Sequence, residues 1–163
     1  MMPFSIQHRL TEAAFLKVDE NPAMEGTNLR YVLTQYTPFP KNIVSMLHLA
    51  RRAAAAQQWD AVTRELDRNI GEELGSDSGG APHYQLLAAA MRHEFDLNVW
   101  AVIPESATDC FIRSMWAALK EYNPLHVLGA AYALEATATP ELAVVLAMVQ
   151  KLAGDRTLNV DTK

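Results

Sequence analysis

The chain has one cysteine, Cys110, so no disulfide can form within it and the fold must rest on packing and hydrogen bonds. A lone thiol also fits a reducing compartment. Basic clusters are scarce: 14 Lys and Arg stand against 19 Asp and Glu, the net charge is -5, and Arg51-Arg52 is the one basic pair of note. That charge pattern does not suit nucleic-acid phosphates. MMPFSIQHRL lacks the apolar centre of a signal peptide, and an uncharged run such as Tyr122 to Leu134 is well short of the roughly 20 residues a membrane helix needs. The expectation is a soluble, cytoplasmic protein that binds neither nucleic acid nor membrane. Convincing strands, internal repeats and a heptad run long enough for a coiled coil are all absent. So are several catalytic signatures. Gly75 to Pro82 lacks the Lys-Ser/Thr ending of a phosphate loop, no serine sits in a hydrolase elbow, and no histidine is near Cys110 in sequence.

What is present is helix. At 163 residues the chain suits one domain, 1-163, able to bury about two-thirds of its unfolded surface. A short amphipathic helix is predicted over Ser5 to Val18, ended by the DENP turn. A longer one covers Thr27 to Ala56, with a break at Pro38 and Pro40 where amide donors are missing. Trp59 to Leu74 follows, stopped by Gly75, and the polar loop SDSGGAP leads to a helix over Pro82 to Trp100. Ser106 and Asp109 resemble a capping box opening a helix that runs to Glu121. The last helix spans Pro124 to Leu152 and contains Pro140, beyond which the polar tail should fray. Met46, Met91, Met115 and Met148 read as core filling.

Within that last helix Glu135 stands out. Its segment, LHVLGAAYALEATATPELAVVLAMV, carries only one other charge, Glu141. Ideal helical spacing puts Leu128, Ala131, Tyr132, Glu135, Ala138, Thr139 and Leu142 on one face, with Glu141 elsewhere. Glu135 is therefore expected to be buried, and a buried carboxylate has to be protonated, paired, hydrogen-bonded or bound to metal. Candidates to face it are Glu72, Glu73 and His83, which flank the Ser/Gly loop. Carboxylate oxygens with a neutral imidazole suit iron or manganese, and residues from separate helices can hold a metal in a bundle core. From spacing alone, a solvated or capping role for the histidine remains open. His48, His93 and His126 fit polar edges or helix starts better than a site.

Phe39-Pro40-Lys41, the acidic run Glu72-Glu73-Leu74-Gly75 followed by His83, and Tyr132-Ala133-Leu134-Glu135 with Pro140 occur in an order that resembles the heme-oxygenase-like di-iron oxidases. The likeness is greatest to the CADD-like proteins and covers about residues 28 to 150. It implies an all-α, heme-oxygenase-like helical bundle in which irons (Fe2+, with manganese an alternative) are held by carboxylates and histidines. Such proteins activate dioxygen and oxidise a small organic acid, amine or amino-acid-derived substrate. The resemblance assigns metal binding to Glu72, His83 and Glu135, with Glu73 an alternative to Glu72, and allows Tyr132 a redox role. Tyr31 and Tyr36 read more simply as packed tyrosines.

The resemblance also implies a later core helix patterned His, three residues, Asp or Glu, two residues, His. None of the five histidines follows Glu135, so the bundle is expected to lack its last core helix and half of the usual six protein ligands. Two functions follow from this. One is an oxidoreductase whose ligand set is incomplete in this chain; the other is a catalytically inactive helical interaction or oligomerisation module derived from the same fold. The apolar faces left uncovered predict a homodimer or higher homo-oligomer.

Overall fold

The computed structural model describes residues 27-154, and α-helices fill most of that span. The expected Ser5-Val18 helix, the DENP turn and the tail past Gly154 lie outside the described residues. No strand occurs among the described residues, so the all-α expectation holds. Contacts divide the chain into two compact units, one of residues 34-133 and one joining residues up to Leu33 with those from Leu134 onward.

Helix α1, Thr27–Tyr36, ends where the two prolines begin. Pro38 and Pro40 offer no amide donor, so the chain makes turns there instead: Phe39 N donates to Tyr36 O at 3.1 Å, and a 3-10 turn covers Pro40–Asn42. The buried Thr37 hydroxyl donates to Thr34 O at 2.8 Å, and the Asn42 amide donates to Pro38 O at 2.8 Å. These side chains satisfy carbonyls that the broken helix leaves open.

Helices α2, Ile43–Ala56, and α3, Asp60–Glu73, form the closest helix pair of the larger unit. A sharp turn joins them, with Gln58 in the left-handed region at φ 59°. Met46, Leu47, Ala50 and Ala54 make the fully buried face of α2, while Leu66, Asn69 and Ile70 make that of α3. Burying a side chain such as Leu47 contributes about 1.5–3 kcal/mol, and the small Ala50 and Ala54 allow close helix approach. At the edge of the pair Arg51 Nε donates to Asp67 Oδ1 at 2.7 Å and Nη2 to Oδ2 at 3.2 Å. That two-pronged hydrogen bond holds the Asp67 carboxyl below its ordinary range.

Helix α4, His83–Phe95, is shorter than the predicted 82-100. Asp96 adopts the left-handed conformation at φ 51°, and Leu97 N reaches back to Met91 O at 3.2 Å, which closes the helix end. Asn98 then accepts from Trp100 N at 3.2 Å and opens a 3-10 turn over Val99–Ala101. The left-handed turn at Asp96 ended the helix sooner than its apolar pattern suggested.

Helix α5, Ser106–Leu119, starts at the residue expected to cap it. Glu105 is its N-cap, and the Glu105 amide donates to Gln35 Oε1 at 2.8 Å. Asp109 pairs with Arg113 at 2.7 Å instead of completing a capping box with Ser106. The Phe39 and Phe111 rings meet with centroids 5.0 Å apart.

Helix α6, Pro124–Ala153, begins as its sequence suggests: Pro124 occupies the first turn and Asn123 Oδ1 accepts from Leu125 N at 3.0 Å. Its inner face is not the expected one. The less exposed residues advance as Val127, Ala131, Leu134, Ala138, Glu141, Val145 and Met148, in alternating steps of four and three. Glu135 lies one residue off that stripe and is exposed, whereas Glu141 is partly covered. The expectation of a buried Glu135 is thus corrected. Apolar residues surround α6 on nearly every side, so composition leaves its inner face undetermined and a drift of one residue moves Glu135 outward. By length and composition α6 could also cross a membrane, and only 6% of its most apolar 18-residue window is buried. In the smaller unit Leu29 and Leu33 of α1 and Val145 and Met148 of α6 are buried.

Candidate metal site

The loop between α3 and α4 returns the chain to the end of α3. Gly75 N donates to Glu72 O at 2.8 Å, Ser76 N to Gly71 O at 2.9 Å, and Gly80 N closes back on Gly75 O at 2.8 Å. Gly75 has φ 101°, and a Cβ there would sit 2.7 Å from the Ala81 carbonyl. Any side chain would push the two strands of the loop apart, so glycine is required at this turn. The tight return places His83, the first residue of α4, beside the last turn of α3.

His83 Nδ1 lies 3.5 Å from Glu73 Oε1, and its Nε2 lies 3.2 Å from Asp77 Oδ1. The ring therefore stands between two carboxylates, one on each nitrogen. With Nε2 turned to Asp77, Nδ1 faces the Glu73 carboxylate. Glu72 takes no part in this cluster, because Arg68 one turn earlier bonds both Glu65 and Glu72 along the outer face of α3. That contact lowers the Glu65 pKa chiefly through the hydrogen bond from Arg68.

Two oxygen and nitrogen donors on one ion sit roughly 3 Å apart, so Glu73 and His83 fit a single divalent ion after a small rotation. They do not fit a pair of irons. Asp77 faces the opposite nitrogen, and no group of three or more His, Cys, Asp and Glu side chains converges on a metal position among the described residues. Beside this cluster, Tyr84 meets the Trp100 ring edge-on at 4.7 Å, and its buried hydroxyl finds no hydrogen-bond partner. Burial raises the Tyr84 pKa. An open pocket of about 550 Å³ runs along α4 past Ala88, Arg92, Val99 and Trp100, but no acid or histidine lines it. It is separate from the acid and imidazole groups.

Residues 10-160 match the model of a family described as a domain of unknown function with a solved structure, DUF3865. The chain belongs to this family. Two crystal structures of a CADD-like protein of unknown function from Nostoc punctiforme PCC 73102 superpose on it. One is 30% identical with a TM-score of 0.73, covering 92% of this chain and 71% of its own. The other is 31% identical with a TM-score of 0.72, covering 90% and 70%. No curated protein matches.

Within the CADD-like chain, the structure brings Glu73 and His83 together and turns Glu72 toward Arg68. The signal for Glu73 was legible: it continues the stripe of Leu66, Asn69 and Ile70, whereas Glu65, Arg68 and Glu72 form an outward ion-pair strip at steps of three and four. Asp77, which orients the histidine, was missed because a loop residue carries no periodicity. Glu135 belongs to the smaller unit, and Tyr132, one turn before it, is also exposed. His126 pairs with Glu121 at 2.8 Å, His93 with Glu94 at 2.7 Å, and His48 is exposed, in keeping with surface roles for all three.

Proposed function

We propose that this CADD-like chain is a metal-binding protein of the non-heme iron oxidase type, taking up one divalent ion, iron or alternatively manganese, through Glu73 and His83. The contact of 3.5 Å between Glu73 Oε1 and His83 Nδ1 across the Gly75 turn carries the reading. Asp77 contacts Nε2 and so orients the ring with Nδ1 toward Glu73, and Arg68 holds Glu72 away. When bound, iron supplies the capacity to bind and reduce dioxygen. Oxidation of a small organic acid, amine or amino-acid-derived substrate requires donors beyond this pair. The test is anaerobic loading with ferrous iron followed by metal analysis. The wild type should hold at most one iron per chain, Glu73→Gln and His83→Ala should lose it, and Glu72→Gln should retain it. Loss of the orienting carboxylate in Asp77→Asn should weaken binding about 10–100-fold. Two tightly held irons per chain, or undiminished iron in His83→Ala, would overturn the reading.

A second reading is a helical interaction module without turnover. The exposure of Glu135 on a largely uncovered α6 favours it. Equal, negligible iron in all the variants would support this module over the oxidase.

A further inference from the structure

The pocket on α4 combines a cation, an aromatic ring and neutral donors. One side is the face of α4 that carries Gln85, Ala88 and Arg92; the other is Val99 and Trp100 of the 3-10 turn. Its volume of about 550 Å³ falls within the roughly 300–1,000 Å³ typical of small-molecule sites. In a chain of net charge -5, its lining among the described residues holds one charged side chain, Arg92, and no acid. Arg92 pairs with Asp96 at 3.1 Å, but both are largely in solvent, so the pair is weak and another carboxylate can replace it. The amides of Asp96 and Leu97 bond back to Arg92 O at 3.1 Å and Met91 O at 3.2 Å, taking up carbonyls that would otherwise repel an anion at this helix end. Trp100 supplies a flat surface. It is 53% exposed, yet Tyr84 meets its ring edge-on at 4.7 Å and Lys41 Nζ lies 5.6 Å from its centroid. The ring is held in place, open to solvent, and bordered by a second cation. Asn98 Oδ1 accepts from Trp100 N at 3.2 Å, which leaves the Asn98 amide nitrogen as a donor at the pocket.

We propose that this pocket binds a fused-ring aromatic carboxylate, with the carboxylate on Arg92 and the flat rings against Trp100. A guanidinium offers parallel N–H donors that match the two oxygens of a carboxylate. A planar apolar body covers the part of the Trp100 ring that now faces water. Gln85 to Arg92 spans about 10 Å along the helix, which suits two fused rings and a carboxylate better than a single ring. A neutral ligand gains little from Arg92, and an aliphatic acid gains less from Trp100. Gln85, Ala88 and Arg92 follow at steps of three and four, and helical periodicity puts His83 on the opposite side of α4. The site is therefore distinct from Glu73 and His83 and does not depend on metal uptake there.

Calorimetric titration of the full chain with 2-naphthoate should show one site per chain. Benzoate, with one ring, and 2-naphthamide, without the charge, should each bind about 10-fold more weakly. Arg92→Gln should weaken 2-naphthoate binding about 10-fold and Trp100→Leu about 5-fold. Circular dichroism should show unchanged helix content in both, because both side chains are already exposed. Asp96→Asn keeps a residue that tolerates the left-handed turn and releases Arg92, so it should tighten binding about 2-fold. Amide NMR shifts locate the ligand without any substitution: residues 85–100 should respond to 2-naphthoate, and α2 should not. His83→Ala should leave the 2-naphthoate affinity unchanged, which separates failure of this site from failure of the metal reading. Absence of saturable 2-naphthoate binding, equal affinity for the acid and the amide, or shifts that bypass residues 85–100 would overturn the proposal.

Discussion

Helices α2 and α6 are both rich in alanine, leucine and valine, yet one is packed and the other is largely open. Met46, Leu47, Ala50 and Ala54 of α2 are fully buried, whereas Leu125, Leu142 and Leu146 of α6 are exposed. The difference lies in patterning. In α2 the apolar face is bounded by polar residues such as Ser45, His48, Arg51 and Arg52, so only one orientation hides the apolar surface. In α6 apolar residues occupy nearly every direction and cannot all be covered by one packed side. Hydrophobicity measures how much a helix gains from burial; amphipathicity decides which face receives it.

The widest gap between the two helices should show in paired truncations. Leu47→Ala, at a fully buried position, should lower unfolding stability by about 2–5 kcal/mol, and Leu142→Ala should change it by less than ~0.5 kcal/mol under monomeric conditions. Urea unfolding monitored by circular dichroism measures both. Similar losses at the two positions would mean that α6 is as well packed as α2.

A smaller effect tests whether the end of α4 is under the same packing demand. Tyr84→Phe removes a buried hydroxyl that has no partner, so stability should rise by ~1 kcal/mol. The Tyr84 pKa is raised by burial. A raised folded-state pKa stabilises the fold below the ordinary tyrosine value and is lost as pH rises through the folded value, so Tyr84→Phe should flatten the alkaline fall in stability above about pH 10. Unfolding curves collected against pH give both readouts. An unchanged alkaline limb would show that the hydroxyl is wetter than its burial indicates.

The smallest expected effect concerns the ion pair that joins α2 to α3. Hydrogen bonding from Arg51 depresses the Asp67 pKa. A depressed folded-state pKa stabilises the fold above the ordinary aspartate value and is lost as pH falls through the folded value. Asp67→Asn should therefore reduce the acid-side slope of stability, slightly, because both partners are solvated. Thermal unfolding at several acidic pH values checks the sign; a steeper slope in the variant would reverse it.

Much of the fold could be read from the chain before any coordinates. Pro38 and Pro40 broke the first long helix because they lack donors, Gly75 ended α3 because only glycine fits its turn, and Pro124 opened α6. The acidic residues near His83 were legible as a set, but the choice of Glu73 over Glu72 needed the rotation of α3 and the grip of Arg68.

By itself the sequence determined that this protein is helical, where most of its helices start and stop, and which charged residues are available to its loop cluster. Those are local consequences of backbone chemistry and apolar spacing. The tertiary structure alone decided that Asp77 folds back onto His83, that Glu73 meets its other nitrogen, and that Glu135 faces out of α6. Each of these depends on a loop path or a helix rotation, and a rotation is fixed only by what packs against the helix, most weakly where every face of that helix is apolar.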